Sequence, residues 1–122
     1  MLNLNSLILF SENPANLTAF YKKVFQREPD WSGGEFVGFN VGVGMMVIGP
    51  HDKVHGKNAN PERIMFNLET ENVENETKRL EGLGAEVIAQ PYHPKEDPKE
   101  TLATFVDVDG NYFQLTTPIK MS

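Results

Sequence analysis

Apolar residues along this chain fall into short runs and one-sided stripes, and the two periods mark out its elements. Ser6-Leu-Ile-Leu-Phe10 is an apolar run long enough for a buried strand and too short for a helix. Ser11-Glu-Asn-Pro14 then supplies capping residues and a proline suited to a first helical turn. Leu17, Phe20, Tyr21 and Val24 recur at spacings of three and four, which predicts a helix with one apolar stripe, and Pro29 stops it. Trp31-Ser-Gly-Gly34 reads as a turn, with room for a short strand around Glu28 to Trp31. Strands are predicted over Glu35 to Val41 and Met45 to Ile48, joined through Gly42-Val-Gly44 and closed by Gly49-Pro50. The first half is thus β-α-β-β.

Residues 51–62, from His51 to Glu62, are polar and carry Gly, Asn and Pro, which predicts a linker. The order then starts again. Arg63 to Leu68 reads as a strand, and Asn72 caps a helix whose Val73, Thr77, Leu80 and Leu83 point inward. Gly82 and Gly84 end that helix, and Ala85 to Ala89 is a strand. A charged, proline-rich loop over Pro91 to Glu100 leads into a closing hairpin whose turn is Asp109-Gly110-Asn111. In its second arm, alternation sends Tyr112, Gln114 and Thr116 to one face and Phe113, Leu115 and Thr117 to the other.

The halves can be laid on one another. Ser6 to Phe10 matches Arg63 to Asn67 at an offset of 57, and Leu17 and Val24 match Val73 and Leu80 at 56. Met46 and Gln114 correspond at 68, each four residues before a proline. Offsets that drift only at loops are what a duplicated unit leaves behind. The organisation predicted is one 122-residue domain of two modules, 1–50 and 63–122, joined by the 51–62 linker.

Composition narrows the function classes. No apolar run approaches the roughly 18–20 residues that span a bilayer, and the N-terminus lacks the basic start and apolar core of a secretory signal. The absence of cysteine removes disulfides and thiolate metal sites and fits a cytoplasmic location. A net charge of −6 argues against nucleic-acid binding.

Paired modules, Phe20-Tyr21 late in the first helix, Leu83-Gly-Ala85 after the second, and Asp107-Val-Asp-Gly-Asn111 together resemble the vicinal-oxygen-chelate superfamily of glyoxalase, bleomycin-resistance and extradiol-dioxygenase proteins. The resemblance covers almost the whole chain. It implies an α+β fold of two tandem β-α-β-β-β modules, each a curled half-barrel sheet with its helix outside, around a cleft. It also implies a homodimer. Metal-dependent members take ligands from the first and last strands of each module, and the positions matched to them here are Ser6, Met46, Arg63 and Gln114. Gln114 stands where those members carry a glutamate. A guanidinium cannot ligate, a thioether is soft, and no imidazole or carboxylate is present among the four, so no metal and no cofactor is expected.

Other chemistry is sparse. His51 and His55 have the spacing of two ligands on a helix, but Gly49, Pro50 and Gly56 break their segment, which makes them an exposed linker pair. His93 lies between prolines in the charged loop. The cluster Glu69, Glu71, Glu74 and Glu76 complements a helix dipole on a solvated face. What remains is a mostly apolar pocket lined by Ser6, Ile8, Phe10, Met46, Ile48, Arg63, Met65, Tyr112 and Gln114, with Asn67 and Thr116 also facing the cleft, the make-up of a small-molecule site. The reading is a metal-free small-molecule binding protein. A glyoxalase-type lyase or dioxygenase with non-standard ligands is the alternative, and the missing histidines and glutamates favour binding.

Overall fold

The computed structural model describes residues 1–118, and the chain divides into two compact units at Gly56/Lys57. Residues 119–122, which end the expected second module, lie outside the described residues. The first unit runs β1 (Ser6–Phe10), α1 (Pro14–Phe25), β2 (Trp31–Gly33), β3 (Phe36–Val41) and β4 (Gly44–Gly49). The second runs β5 (Phe66–Glu69), α2 (Val73–Gly82), β6 (Glu86–Tyr92), β7 (Leu102–Val106) and β8 (Tyr112–Thr116). Each unit folds into a four-stranded mixed sheet, in the orders β1-β4-β3-β2 and β5-β8-β7-β6. First and last strands pair in parallel, which requires a long crossover, and the helix with its two following strands supplies it. The fold is α+β with two tandem β-α-β-β-β modules. Among the described residues, no helix is long and apolar enough to cross a membrane.

Both helices start the same way. The Asn13 side chain accepts from the Asn16 amide at 3.2 Å, with Pro14 in the first turn, and the Asn72 side chain accepts from the Asn75 amide at 3.0 Å. Helix α1 ends on Gln26 at φ 59°, a left-handed residue whose N–H reaches the Lys22 carbonyl. Helix α2 closes through Gly84 at φ 92°, with the Ala85 amide returning to Leu80 at 3.0 Å. Glu76 on α2 forks to Arg79 at 2.7 and 3.2 Å, a local pair on the charged side of the helix.

Strand pairing assigns every side chain to a face. Phe39 pairs with Met46, and Met46 with Leu7; Val37 pairs with Ile48, and Ile48 with Leu9. The Phe39 ring lies 5.2 Å from Phe25 of α1, so this is the face that the helix covers. Leu17 and Tyr21 of α1 are buried there with Phe39 and Ile48, and burial of each such side chain contributes about 1.5–3 kcal/mol. In the second unit, Phe66 and Phe105 stack on either side of Phe113, at 5.7 and 5.5 Å. Val73, Thr77 and Leu80 of α2 are buried, forming the inward stripe of that helix.

Several expectations change. Trp31–Gly33 is a strand, β2, because Trp31 and Gly33 find antiparallel partners in Gly38 and Phe36; the turn is at Gly34. Strand β5 begins at Phe66, so Arg63 lies in the preceding turn, its amide bonded to the Asn60 carbonyl at 3.1 Å and its side chain exposed. Leu83 caps α2 at 42% exposure and does not point inward.

The correspondence of the modules also shifts. The Ser11 amide bonds to the Gly49 carbonyl and the Thr70 amide to the Thr116 carbonyl, both at 2.9 Å, closing the same parallel pair at the same point. Ser11 and Thr70 are 59 apart, as are the caps Asn13 and Asn72 and the buried threonines Thr18 and Thr77; Gly49 and Thr116 are 67 apart. The offsets are therefore 59 and 67, in place of 57, 56 and 68. A change of two keeps a residue on its face, and a change of one moves it to the other. Ser6 corresponds to Met65, and Gln114 to Val47.

Thr77 generates a prediction. Its hydroxyl is buried and takes no hydrogen-bond partner among the described residues, which costs about 1–3 kcal/mol. Thr77→Val keeps the shape and removes the unpaired group, so urea unfolding should show a gain of about 1 kcal/mol with an unchanged m-value.

Candidate functional site

The faces opposite the helices hold what polar and aromatic chemistry the sheets expose. On the first sheet, cross-strand pairing sets three rows there. Ser6, Met45 and Asn40 form one; Ile8, Val47, Gly38 and Trp31 the next; Phe10, Gly49, Phe36 and Gly33 the third. Glycine interrupts the last two rows and an aromatic ring fills each gap. A Cβ on Gly38 would meet the Trp31 indole, and one on Gly49 would meet the Phe36 ring. The indole Nε1–H donates to Met45 Sδ at 3.2 Å. Phe10 meets Phe36 edge-on at 6.4 Å and His51 at 5.0 Å.

The second sheet is polar at the matching place. Gln114 pairs across the strands with Asn67 on one side and Thr104 on the other. Its Nε2 donates to Thr104 Oγ1 at 3.0 Å, which leaves the carboxamide oxygen to accept from elsewhere. Thr104 is buried, Gln114 half-buried and Asn67 exposed, so the row steps from core to surface. Tyr112 lies one row away, paired with Val106.

The residues proposed from sequence separate into three groups. Ser6, Ile8 and Phe10 lie on the helix-free face of the first sheet, and Tyr112 and Gln114 on that of the second, with Met65 immediately before β5. Met46 at 2% exposure and Ile48 at 0% are core residues on the helix side, a correction forced by their pairing with Phe39 and Val37. Arg63 belongs to no strand and is exposed, so it does not line a pocket from β5. Trp31, Phe36, Val47 and Thr104 went unnamed. A glycine inside a strand, Gly38 beside bulky neighbours, was the available signal.

At the observed correspondence, the first- and last-strand positions that the resemblance assigns to metal ligands are Ser6 with Val47 and Met65 with Gln114. A hydroxyl and an alkyl group make one pair, a thioether and a carboxamide the other. That donor set does not fit a divalent cation, which wants imidazole and carboxylate. Elsewhere, His51 Nδ1 lies 3.1 Å from the Lys53 amide, whose proton is fixed. The Asp52 carboxylate lies 3.3 Å from the same ring nitrogen. His55 faces Glu12 at 3.9 Å, and His93 Nδ1 meets the Glu100 carbonyl at 3.0 Å, pinning the charged loop.

Asp107-Val-Asp-Gly-Asn111 is a structural device. The buried Asp107 carboxylate accepts from the amides of Asp109 and Asn111 at 2.8 and 3.0 Å and from Asn111 Nδ2 at 3.0 Å, while Gly110 turns at φ 82°. Asn58 docks on this turn, its amide on the Asp109 carbonyl at 2.8 Å and its side chain on Asn111 Oδ1 at 3.1 Å.

Comparison with known proteins agrees with this architecture. The family model of the glyoxalase-like domain matches residues 6–116. No curated protein matches the chain at the sequence level. Among solved structures, a glyoxalase/bleomycin resistance protein/dioxygenase family enzyme from Burkholderia phytofirmans PsJN superposes with TM-score 0.75 at 17% identity, covering 97% of this chain and 100% of its own. A lactoylglutathione lyase from Agrobacterium tumefaciens gives 0.73 at 19%, covering 94% and 92%. A glyoxalase/bleomycin resistance protein/dioxygenase from Nocardioides gives 0.77 at 11%, covering 100% and 91%. At such identities the likeness is one of fold.

Asp107 and Arg63 give opposite expectations for stability. Asp107→Ala leaves three donors of the turn without their acceptor and should cost about 2–3 kcal/mol in chemical denaturation. Arg63→Ala, at an exposed turn, should stay within about 0.5 kcal/mol of the parent.

Proposed function

The chain belongs to the glyoxalase-like domain family, and on that premise we propose that it binds a small organic molecule and does so without a metal ion. The observation that carries this reading is the donor set. The two matched strand pairs hold a hydroxyl, an alkyl group, a thioether and a carboxamide, so Lewis-acid chemistry has no fitting ligands at those positions. The fold itself is neutral on the matter, since one architecture hosts many chemistries.

In this proposal the helix-free sheet faces are the binding surfaces. Gln114 and Asn67 are the polar anchors. The carboxamide of Gln114 is oriented by Thr104 and keeps its oxygen for a ligand N–H or O–H, while Asn67 beside it both donates and accepts. Tyr112 lies one row from them on the second sheet, and on the first sheet Ile8 and Trp31 offer apolar and aromatic surface of their own. We further propose a homodimer, because Ile64 and Ile88 remain exposed on the single chain.

Three measurements test these proposals. Elemental analysis of tag-free protein after dialysis should find no stoichiometric nickel, zinc, iron or manganese; about one equivalent of any of them would overturn the metal-independent reading. Native mass spectrometry of the same preparation should reveal a co-purified small molecule, and Gln114→Leu should lower its occupancy roughly tenfold, as for loss of a hydrogen bond worth about 1.4 kcal/mol. Light scattering at tens of micromolar should return twice the 13.7 kDa chain mass; the single chain mass would count against the dimer.

A further inference from the structure

We infer that the helix-free face of the first sheet is a stacking floor for a flat, uncharged aromatic or heteroaromatic ring. This rests on the small-molecule reading and names the class of ligand. In two adjacent rows of the sheet an aromatic ring takes the place of a missing side chain, at Gly38 in one and at Gly49 in the other. The Trp31 indole occupies the place a Gly38 Cβ would take, and the Phe36 ring occupies the place at Gly49. Two aromatic rings are thereby seated low on the sheet.

Covering strand glycines with cross-strand aromatics stabilises a sheet in its own right. Stabilisation alone, however, leaves the outer side of these rings unaccounted for. Trp31 is 39% exposed and Ile8, in the same row, 49% exposed, both large apolar side chains in contact with solvent. The indole is also fixed in orientation, because its single donor is already spent on Met45 Sδ. A ligand therefore meets the ring's surface and not a hydrogen-bond donor. No Asp, Glu, Lys or Arg stands in any of the three rows, which removes an ionic partner for a charged ligand. Phe10 borders the floor, edge-on to Phe36, and the His51 ring packs against it. Polar contact is confined to the far row, where Ser6 and Asn40 are exposed. The chemistry that remains is dispersion and quadrupole stacking, which favours a flat π-system over a saturated ring of equal size.

The chain has one tryptophan, so its indole Nε1–H gives one assignable resonance in a proton–nitrogen spectrum. The probes are 2-naphthol and decahydro-2-naphthol, uncharged near neutral pH and sharing a carbon skeleton, one flat and one puckered. Titrating 2-naphthol into the wild-type protein should shift the indole resonance saturably. The saturated analogue should bind at least about fivefold more weakly, the size of a stacking term beyond buried area. Trp31→Leu should lose about fivefold in 2-naphthol affinity by ligand-observed saturation transfer, with circular dichroism unchanged, and Trp31→Phe should recover most of it. Gly38→Val, which unseats the indole, should lose binding as Trp31→Leu does.

Equal affinity for the two probes would overturn the proposal, as would a stationary indole resonance at saturating 2-naphthol or a Trp31→Leu variant that binds like wild type. Should Trp31→Leu fail to fold, the wild-type resonance and the probe ratio still decide. Failure here leaves the broader reading standing if a co-purified ligand still depends on Gln114. Loss of that dependence with the floor intact would count against the Gln114 anchor alone.

Discussion

In each module, everything about side-chain placement follows from one pairing: the first strand beside the last, in parallel. That pairing needs a crossover, and the helix that makes it must lie on one face of the sheet. The face it covers becomes core and the other is left for function. Because strand side chains alternate, the register of β1 on β4 and of β5 on β8 then decides which residues go where. The Ser11–Gly49 and Thr70–Thr116 backbone bonds fix that register at the point where each chain leaves its strand for its helix.

The two helix-free faces have diverged in character while keeping the same frame. The first carries Trp31 and Phe36 seated over Gly38 and Gly49, with Ile8 and Val47 between them and the edge. The second carries a graded polar row of Thr104, Gln114 and Asn67. A duplicated unit gives two copies of each position, and here one copy has gone to aromatic contact and the other to amide hydrogen bonding. At the matched strand positions neither copy carries an imidazole or a carboxylate, and under the proposed reading recognition rests on shape and on a few hydrogen bonds.

Much of this was legible in the sequence. The order of elements, the inward residues Leu17, Tyr21, Val24, Val73 and Leu80, and the faces of the last strand all follow from period and capping signals that act locally. The exact register between modules did not, because short apolar runs match almost equally well at shifts of one or two residues. Proline landmarks at Pro50 and Pro118 lie outside the strands and pulled the alignment by one. That single step put Met46 and Ile48 on the wrong face and hid Val47. Arg63 was drawn into a strand because Ile64 and Met65 extend the apolar run, although Asn60 holds the segment in a turn. The Trp31–Gly38 pairing was beyond reach because it joins residues whose partnership only the sheet defines.

The central claim is the face assignment, and the chain's lack of cysteine makes it directly measurable. Single cysteines introduced as Ile8→Cys, Val47→Cys, Met46→Cys and Ile48→Cys can be followed by their rate of reaction with a thiol reagent under native conditions. The account predicts rapid labelling at 8 and 47 and labelling at 46 and 48 only after unfolding in urea. Native labelling at 46 and 48 with protection at 8 and 47 would contradict it and return the opposite face of the sheet to solvent.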